Sequence, residues 1–212
     1  EFGSPMGLTT KSLRNAIASL EKEEGISIPV DVEGAEYLCM LSSAEVVLYS
    51  EFITAISKIF SAAGVSWTLS SKSFEATNTG VQMGNSKIAA ELLERYVAVA
   101  TELKVKTVIS PECGHAYTTI RWDGPNILGR ALPFKVVHIM ELLEQLRAEG
   151  RLKTTCCFDE HLTYHDPCYI SRGGGVLHQP RKLLNQVAPN FIEFNETMEM
   201  NWCCGGGGGV SS

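Results

Sequence analysis

The sequence has no excess of positive charge: 18 lysines and arginines stand against 24 aspartates and glutamates, a formal net charge of −6. Without a basic stripe to neutralise phosphates, nucleic-acid binding is excluded as a working function. No apolar run approaches the roughly 20 residues that a bilayer-spanning helix requires, and no signal-peptide core follows the N-terminus. These absences predict a cytoplasmic chain with no membrane span of its own. Disorder is not expected either, because hydrophobic residues make up 44% and charged residues 20%, ordinary values for a globular protein. Glu1–Pro5 read as a cloning scar ahead of a start at Met6, and residues 6–30 as an N-terminal helical segment.

Cysteine is what the chain has in quantity, seven in 212 residues. In a small secreted protein that number would indicate a disulfide scaffold. In a longer chain without a signal peptide it points to metal or redox work.

Apolar spacing alternates between helical and strand periods, which predicts an α/β layer fold. A helix is expected from Lys11 to Glu24 with Gly25 as its stop, then a buried strand at Tyr37–Leu41. Ser43 is expected to cap a helix with the stripe Tyr49, Phe52, Ile53, Ile56, Ile59 and Phe60, ended by Gly64. A strand at Val65–Leu69, a helix opened by Ser86 and a strand at Val105–Ser110 follow. Val136, Ile139, Met140, Leu143 and Leu146 form the stripe of a helix ending at Gly150. Two last strands are expected at Leu162–His165 and Phe191–Phe194. Loops at the carboxyl ends of parallel strands gather at one sheet edge, so Cys113, Cys168 and the Cys203–Cys204 pair can converge.

The residues around the later cysteines carry specific chemistry. In His165-Asp166-Pro167-Cys168, Asp166 reads as an N-cap and Pro167 as a first helical residue, which sets Cys168 in the first turn where thiolate is favoured. Cys203 and Cys204 are adjacent and so geometrically poor disulfide partners for each other. The five glycines Gly205–Gly209 behind them let backbone approach a bulky inorganic group and offer N–H donors to its sulfurs. His165 is a candidate to donate to a cluster sulfur, to ligate a metal or to protonate a leaving thiol. His115 and Arg172 are weaker candidates of the same kind. Cys156-Cys157 reads as an incidental loop pair.

Cys168…Cys203-Cys204-Gly205 resembles the first three cysteines of the CCG motif, with its wide gap before the Cys-Cys pair. Thr163-Tyr164-His165-Asp166-Pro167-Cys168-Tyr169-Ile170-Ser171-Arg172 resembles the family's residues around the first ligand. The family includes catalytic subunits of heterodisulfide reductases and iron–sulfur subunits of glycolate and glycerol-3-phosphate oxidation. The likeness is nearest to the reductase-like subunits of transmembrane redox complexes in sulfur-metabolising prokaryotes.

That resemblance implies two similar α/β halves with parallel sheets, the cysteines lying in loops at the carboxyl ends of strands. Residues 31–135 resemble a degenerate first CCG half. Cys39 stands at its opening position, Asn78-Thr79-Gly80 replaces Cys-Cys-Gly, and Ser110-Pro111-Glu112-Cys113 replaces C-x-x-C. Cys39 and Cys113 are therefore expected as core residues and are the weaker metal candidates. Residues 136–212 resemble the second half, which stops before its final C-x-x-C. The family's N-terminal ferredoxin-like segment is missing as well, so a fragment is expected.

For the parent protein the resemblance implies a non-cubane [4Fe–4S] cluster held by Cys168, Cys203 and Cys204, with Gly205 beside it, acting on a disulfide or thiol. Expected partners are other components of a membrane redox complex, and a small thiol or disulfide or a cysteine-containing protein. The expected location is peripheral to the inner membrane. Two alternatives stay open: a structural zinc ion on His165, Cys168, Cys203 and Cys204, or a metal-free docking module. No spacing suggests the cysteine–histidine–carboxylate set of a thiol-nucleophile enzyme.

Overall fold

A computed structural model describes residues 7–74 and 78–206, with backbone alone at 78 and 79. The expectations placed on Glu1–Pro5, Met6 and Gly207–Gly209, and on the side chains of Asn78 and Thr79, lie outside the described residues. Helix α1 (Thr10–Glu24) begins with a reciprocal cap between Thr9 and Ser12 and ends at Gly25, whose φ of 64° suits a residue without Cβ. Its Leu13 and Ile17 are buried, as the apolar spacing predicts.

Four short strands build one all-parallel sheet: β1 (Tyr37–Cys39), β2 (Trp67–Thr68), β3 (Thr107–Ser110) and β4 (Lys135–His138), in the order β2-β1-β3-β4. The β1–β2 crossover holds α2 (Ser43–Val47) and α3 (Ser50–Ala62), and the β2–β3 crossover holds α4 (Asn78–Gln82) and α5 (Ser86–Glu102). Between β3 and β4 run α6 (Gly114–Thr118), a π-helical turn (Thr119–Asp123) and α7 (Gly124–Leu128). After β4 come α8 (Ile139–Ala148), α9 (Gln179–Val187) and a 3₁₀ turn (Met198–Met200).

Alternation along β1 divides the core in two. Tyr37 and Cys39 join Ile109 on one face, under Leu13 and Ile17 of α1, Ile53, Ile56 and Phe60 of α3, and Leu142 and Leu146 of α8. Leu38 joins Val108 and Val136 on the other face, under Leu93, Tyr96 and Ala100 of α5 and Ala116 and Tyr117 of α6. Helices on both faces of a parallel sheet make the expected α/β fold and explain why its strands are apolar throughout. Ile170 and Val176 belong to the second cluster, so the segment after Cys168 is docked on this core.

Several elements differ from the sequence expectation. The single helix expected between Ser43 and Gly64 is two, and its cap is Ser42, which accepts from the Glu45 N–H while Glu45 accepts from the Ser42 N–H at 2.5 Å. The break falls at Leu48–Tyr49, both more than half exposed, so the buried stripe begins at Ile53 and Tyr49 lies outside it. A β-branched Val46-Val47 pair at the end of a one-turn helix gives little reason to extend it.

Val136 belongs to a strand, β4, and not to the following helix. The Ser110↔His138 register carries the sheet past residue 135. The two late strands are reduced to one parallel bridge, Leu162↔Phe191, with the Ile192 N–H on the Leu162 carbonyl at 2.8 Å. Ile192 and Phe194 are exposed, so no facing layer rewards longer pairing. Among the described residues, no helix is long and apolar enough to cross a membrane.

Candidate functional site

Two backbone segments meet at the surface beside the second core cluster. One carries His165 to Arg172 and the other Met198 to Gly206. Cys168 lies in the first and Cys203 and Cys204 in the second. The thiols of Cys168 and Cys204 are close enough to that of Cys203 for both to lower its pKa. The Gly205 N–H donates to Cys203 Sγ at 3.4 Å, and the Gly206 N–H to Cys204 Sγ at 3.5 Å. The glycines thus turn their amides onto the cysteine sulfurs themselves. The Gly205 N–H and then the Cys168 thiol hold the Cys203 thiol below its ordinary pKa against desolvation, with the positive charge of Arg172 adding to them.

A buried ion pair stands behind the thiols. Arg181 on α9 grips Asp166 with two parallel bonds, Nη1 to Oδ1 at 2.8 Å and Nη2 to Oδ2 at 2.7 Å, with side-chain exposures of only 8% and 1%. Its remaining donors reach Glu193 at 2.5 and 3.0 Å and the Leu177 carbonyl at 2.8 Å. Burial pushes the Asp166 carboxyl up, but Arg181 and the Met198 N–H outweigh it and leave the group below its usual range. Asp166 is therefore not the N-cap expected from sequence. It accepts from the Met198 N–H at 2.7 Å, and its carbonyl accepts from Asn201 Nδ2.

Residues 168–174 form successive turns and no helix, so Cys168 draws nothing from a helix dipole. The Pro167 carbonyl accepts from the Ile170 and Ser171 N–H groups, and the Cys168 carbonyl from Gly173. The cause lies in Gly173-Gly174-Gly175 and in close packing. A Cβ on Gly174 would sit 2.7 Å from Tyr117 Cε1 and 2.5 Å from the Ile170 carbonyl.

His165 donates through Nε2 to the Trp202 carbonyl at 2.8 Å, which anchors the residue just before Cys203 and leaves only Nδ1 open. Arg172 is no free surface charge, since Nη1 donates to the Asn201 carbonyl at 3.1 Å. His115 stacks on Tyr169, with ring centroids 3.7 Å apart, next to Cys168.

The first-half cysteines have a different setting. Cys39 is 2% exposed within β1, where burial pushes its thiol well up. Cys113 follows β3 and caps α6, accepting from the Ala116 N–H at 3.4 Å, and burial raises its thiol too. The cavity beside Cys113, lined also by Met40, Glu45 and Ser110, is about 10 Å³, room for no more than one water. Cys156 and Cys157 are exposed, and Cys157 donates to the Gln186 carbonyl at 3.5 Å.

Sequence reasoning missed Arg181, Asn201 and the inward role of Asp166. The available signal was an arginine beside Pro180 at the start of a helix, but nothing local names its partner across the chain. Among the described residues no three His, Cys, Asp or Glu side chains stand close enough to hold a single metal ion. The donor chemistry does fit a thiolate-held iron–sulfur cluster, whose ligands bind separate irons, with the Gly205 and Gly206 amides already directed at sulfur.

Residues 162–212 match the family model of the CCG cysteine-rich domain. One component of the dihydromethanophenazine:CoB–CoM heterodisulfide reductase of Methanosarcina acetivorans is 36% identical over 132 residues, 62% of this chain and 32% of that protein. The EtfAB:quinone oxidoreductase of Syntrophomonas wolfei is 30% identical over 187 residues, 86% of this chain and 25% of that one. The Hdr-like menaquinol oxidoreductase iron–sulfur subunit of Archaeoglobus profundus is 29% identical over 183 residues, 69% of this chain and 32% of that one. The chain spans a quarter to a third of the length of these relatives. No solved structure matches it significantly. Residues 162–212 are thus similar to the CCG cysteine-rich domain, and the chain as a whole is similar to parts of heterodisulfide reductases and of an Hdr-like iron–sulfur oxidoreductase subunit.

Proposed function

We propose that this chain is part of an iron–sulfur electron-transfer subunit of a heterodisulfide reductase-like complex, with Cys168, Cys203 and Cys204 as ligands to a [4Fe–4S] cluster of the non-cubane kind. The observation that carries this reading is the exposed Cys203 thiol, which receives the Gly205 amide at 3.4 Å and lies near enough to the Cys168 and Cys204 thiols for both to lower its pKa. A bound cluster supplies one-electron steps, which suits a disulfide or thiol substrate because S–S cleavage takes two electrons.

The chain's own residues bind and orient. Gly205 and Gly206 direct N–H groups at sulfur, which stabilises thiolate charge, and Arg172 adds a positive field. His165 holds the Cys203 segment through the Trp202 carbonyl and keeps Nδ1 for a proton. On this reading residues 31–135 are a first CCG half without most of its ligands, and residues 136–212 are the second. The remaining partners are other components of a membrane complex, with this chain peripheral on the cytoplasmic side. A structural zinc ion is the weaker reading, since a tetrahedral site needs donors that converge on one point, and His165 has committed Nε2 elsewhere.

The test is anaerobic reconstitution with iron and sulfide, followed by analysis of iron, acid-labile sulfide and zinc in one sample. Iron and sulfide in stoichiometric amounts, lost in Cys168→Ser and Cys203→Ser, is the expected result. Zinc without sulfide, or iron that stays bound in both variants, removes the proposal.

A further inference from the structure

The ligand-bearing segments are far apart in sequence, and among the described residues no sheet joins them beyond the single Leu162↔Phe191 bridge. What joins them is polar. Asp166, two residues before Cys168, accepts the Met198 N–H through a side-chain oxygen and Asn201 Nδ2 through its carbonyl. Asn201 is 3% exposed and stands two residues before Cys203. Arg181 fixes the Asp166 side chain from behind, and its other edge is held by Glu193 and the Leu177 carbonyl. Tyr164 lies 5.5 Å from the guanidinium carbon, covering its face.

We propose that Arg181 is a positioning residue: through Asp166 and Asn201 it sets the separation of Cys168 from Cys203, and so preorganises the thiols before any cluster arrives. The physical reason is geometric. A bidentate guanidinium–carboxylate pair fixes both distance and plane, and Asp166 passes that geometry to one cysteine through the backbone and to the other through Met198 and Asn201. Lysine keeps the charge but cannot grip two oxygens of Asp166 and two of Glu193 together. Arg181 itself meets no ligand, substrate or sulfur. Its identification as a support for cluster binding rests on the proposed function, whereas the thiol geometry it sets does not.

The experiment therefore has two arms. In the metal-free chain with Cys156→Ser and Cys157→Ser, a short bifunctional thiol reagent such as dibromobimane is used to link Cys168 to Cys203, and the product is identified by mass spectrometry of the joined peptides. Arg181→Lys is expected to slow this linkage roughly tenfold while circular dichroism stays that of the parent, because the local concentration of one thiol at the other falls. In the second arm, iron retention after reconstitution is expected to fall about 10–100-fold, with a changed electron paramagnetic resonance spectrum, as supporting-residue changes do at metal sites.

A folded Arg181→Lys chain whose linkage rate and spectrum match the parent's overturns the proposal. If the parent binds no iron yet its linkage rate depends on Arg181, the cluster reading fails and the positioning role stands. Should Arg181→Lys not fold, Asn201→Ala decides. It cuts the link to the Asp166 carbonyl without stranding a charge, and an unchanged linkage rate there also overturns the proposal.

Discussion

Two pairs of cysteine positions in one chain show how differently the same side chain can be used. Cys39 and Cys113 lie at the carboxyl edge of a four-stranded sheet, closed in by apolar layers, and burial raises both thiols. Cys168 and Cys203 lie beyond that sheet, on turns held by an ion pair, and a glycine amide and a neighbouring thiol lower Cys203. The sheet has removed Cys39 from chemistry, and Cys203, beyond any second layer, is left exposed; Cys113 and Cys168 are both half-buried. Solvent access and amide donors decide whether a cysteine is packing or a ligand.

The widest gap in that comparison is in reactivity. Alkylation of the native chain by iodoacetamide should modify Cys203 about a hundredfold faster than Cys39 or faster still, given the low thiolate fraction and steric closure of the buried thiol. Peptide mapping at short reaction times measures it. Comparable rates would mean that the first-half edge opens readily in solution, and the contrast would be lost.

A next difference lies in what holds each region. Leu146 is fully buried among α1, α3 and the sheet, so Leu146→Ala should cost about 2–5 kcal/mol of global stability in urea unfolding. Asp166→Ala removes the buried partner of Arg181 and leaves it only the part-exposed Glu193, at a cost of up to about 3–5 kcal/mol, but locally. Hydrogen exchange should then rise across residues 162–206 while β1 and β3 keep their protection. Equal loss of protection in both regions would show one cooperative unit instead of two unlike ones.

The smallest expected effect concerns His138. Burial holds its pKa down at about 4, against the opposing effects of the Glu112 backbone and the Glu141 charge, and Nδ1 accepts from the Met140 N–H at 3.3 Å. The folded chain thus binds this proton less readily than the unfolded chain, whose imidazole titrates near 6.5. The stability is complete above pH 6.5 and is lost as pH falls toward 4, by about 2 kcal/mol between pH 7 and pH 5. His138→Gln should flatten that slope in urea titrations at the two pH values. An unaltered slope would trace the acid sensitivity to the Asp166 side of the molecule.

Much of the sheet region was legible because its signals are local. The apolar spacing of α1, the stop at Gly25 and the stripe of α5 read directly from the chain. β4 was not legible as a strand, since Val136 and Val137 run without a break into the apolar positions of α8, and only pairing with β3 separates the two. In the candidate site, Cys168, Cys203, Cys204 and Gly205 were named by the resemblance that their spacing carries. The turn at Cys168 was not, because Asp166-Pro167 is also a good helix opening. Its use here depended on an arginine fifteen positions later competing for the carboxylate.

By itself the sequence determined which residue types are available and where local periodicity repeats: an α/β alternation, a cluster of thiols, and glycines whose amides can reach sulfur. Those follow from backbone geometry over a few residues. Only the tertiary structure decided which carboxylate meets Arg181, which thiols are sealed under a sheet and which face water. Such choices depend on contacts between distant segments, and their energies arise from burial and charge pairing that no short stretch of sequence contains.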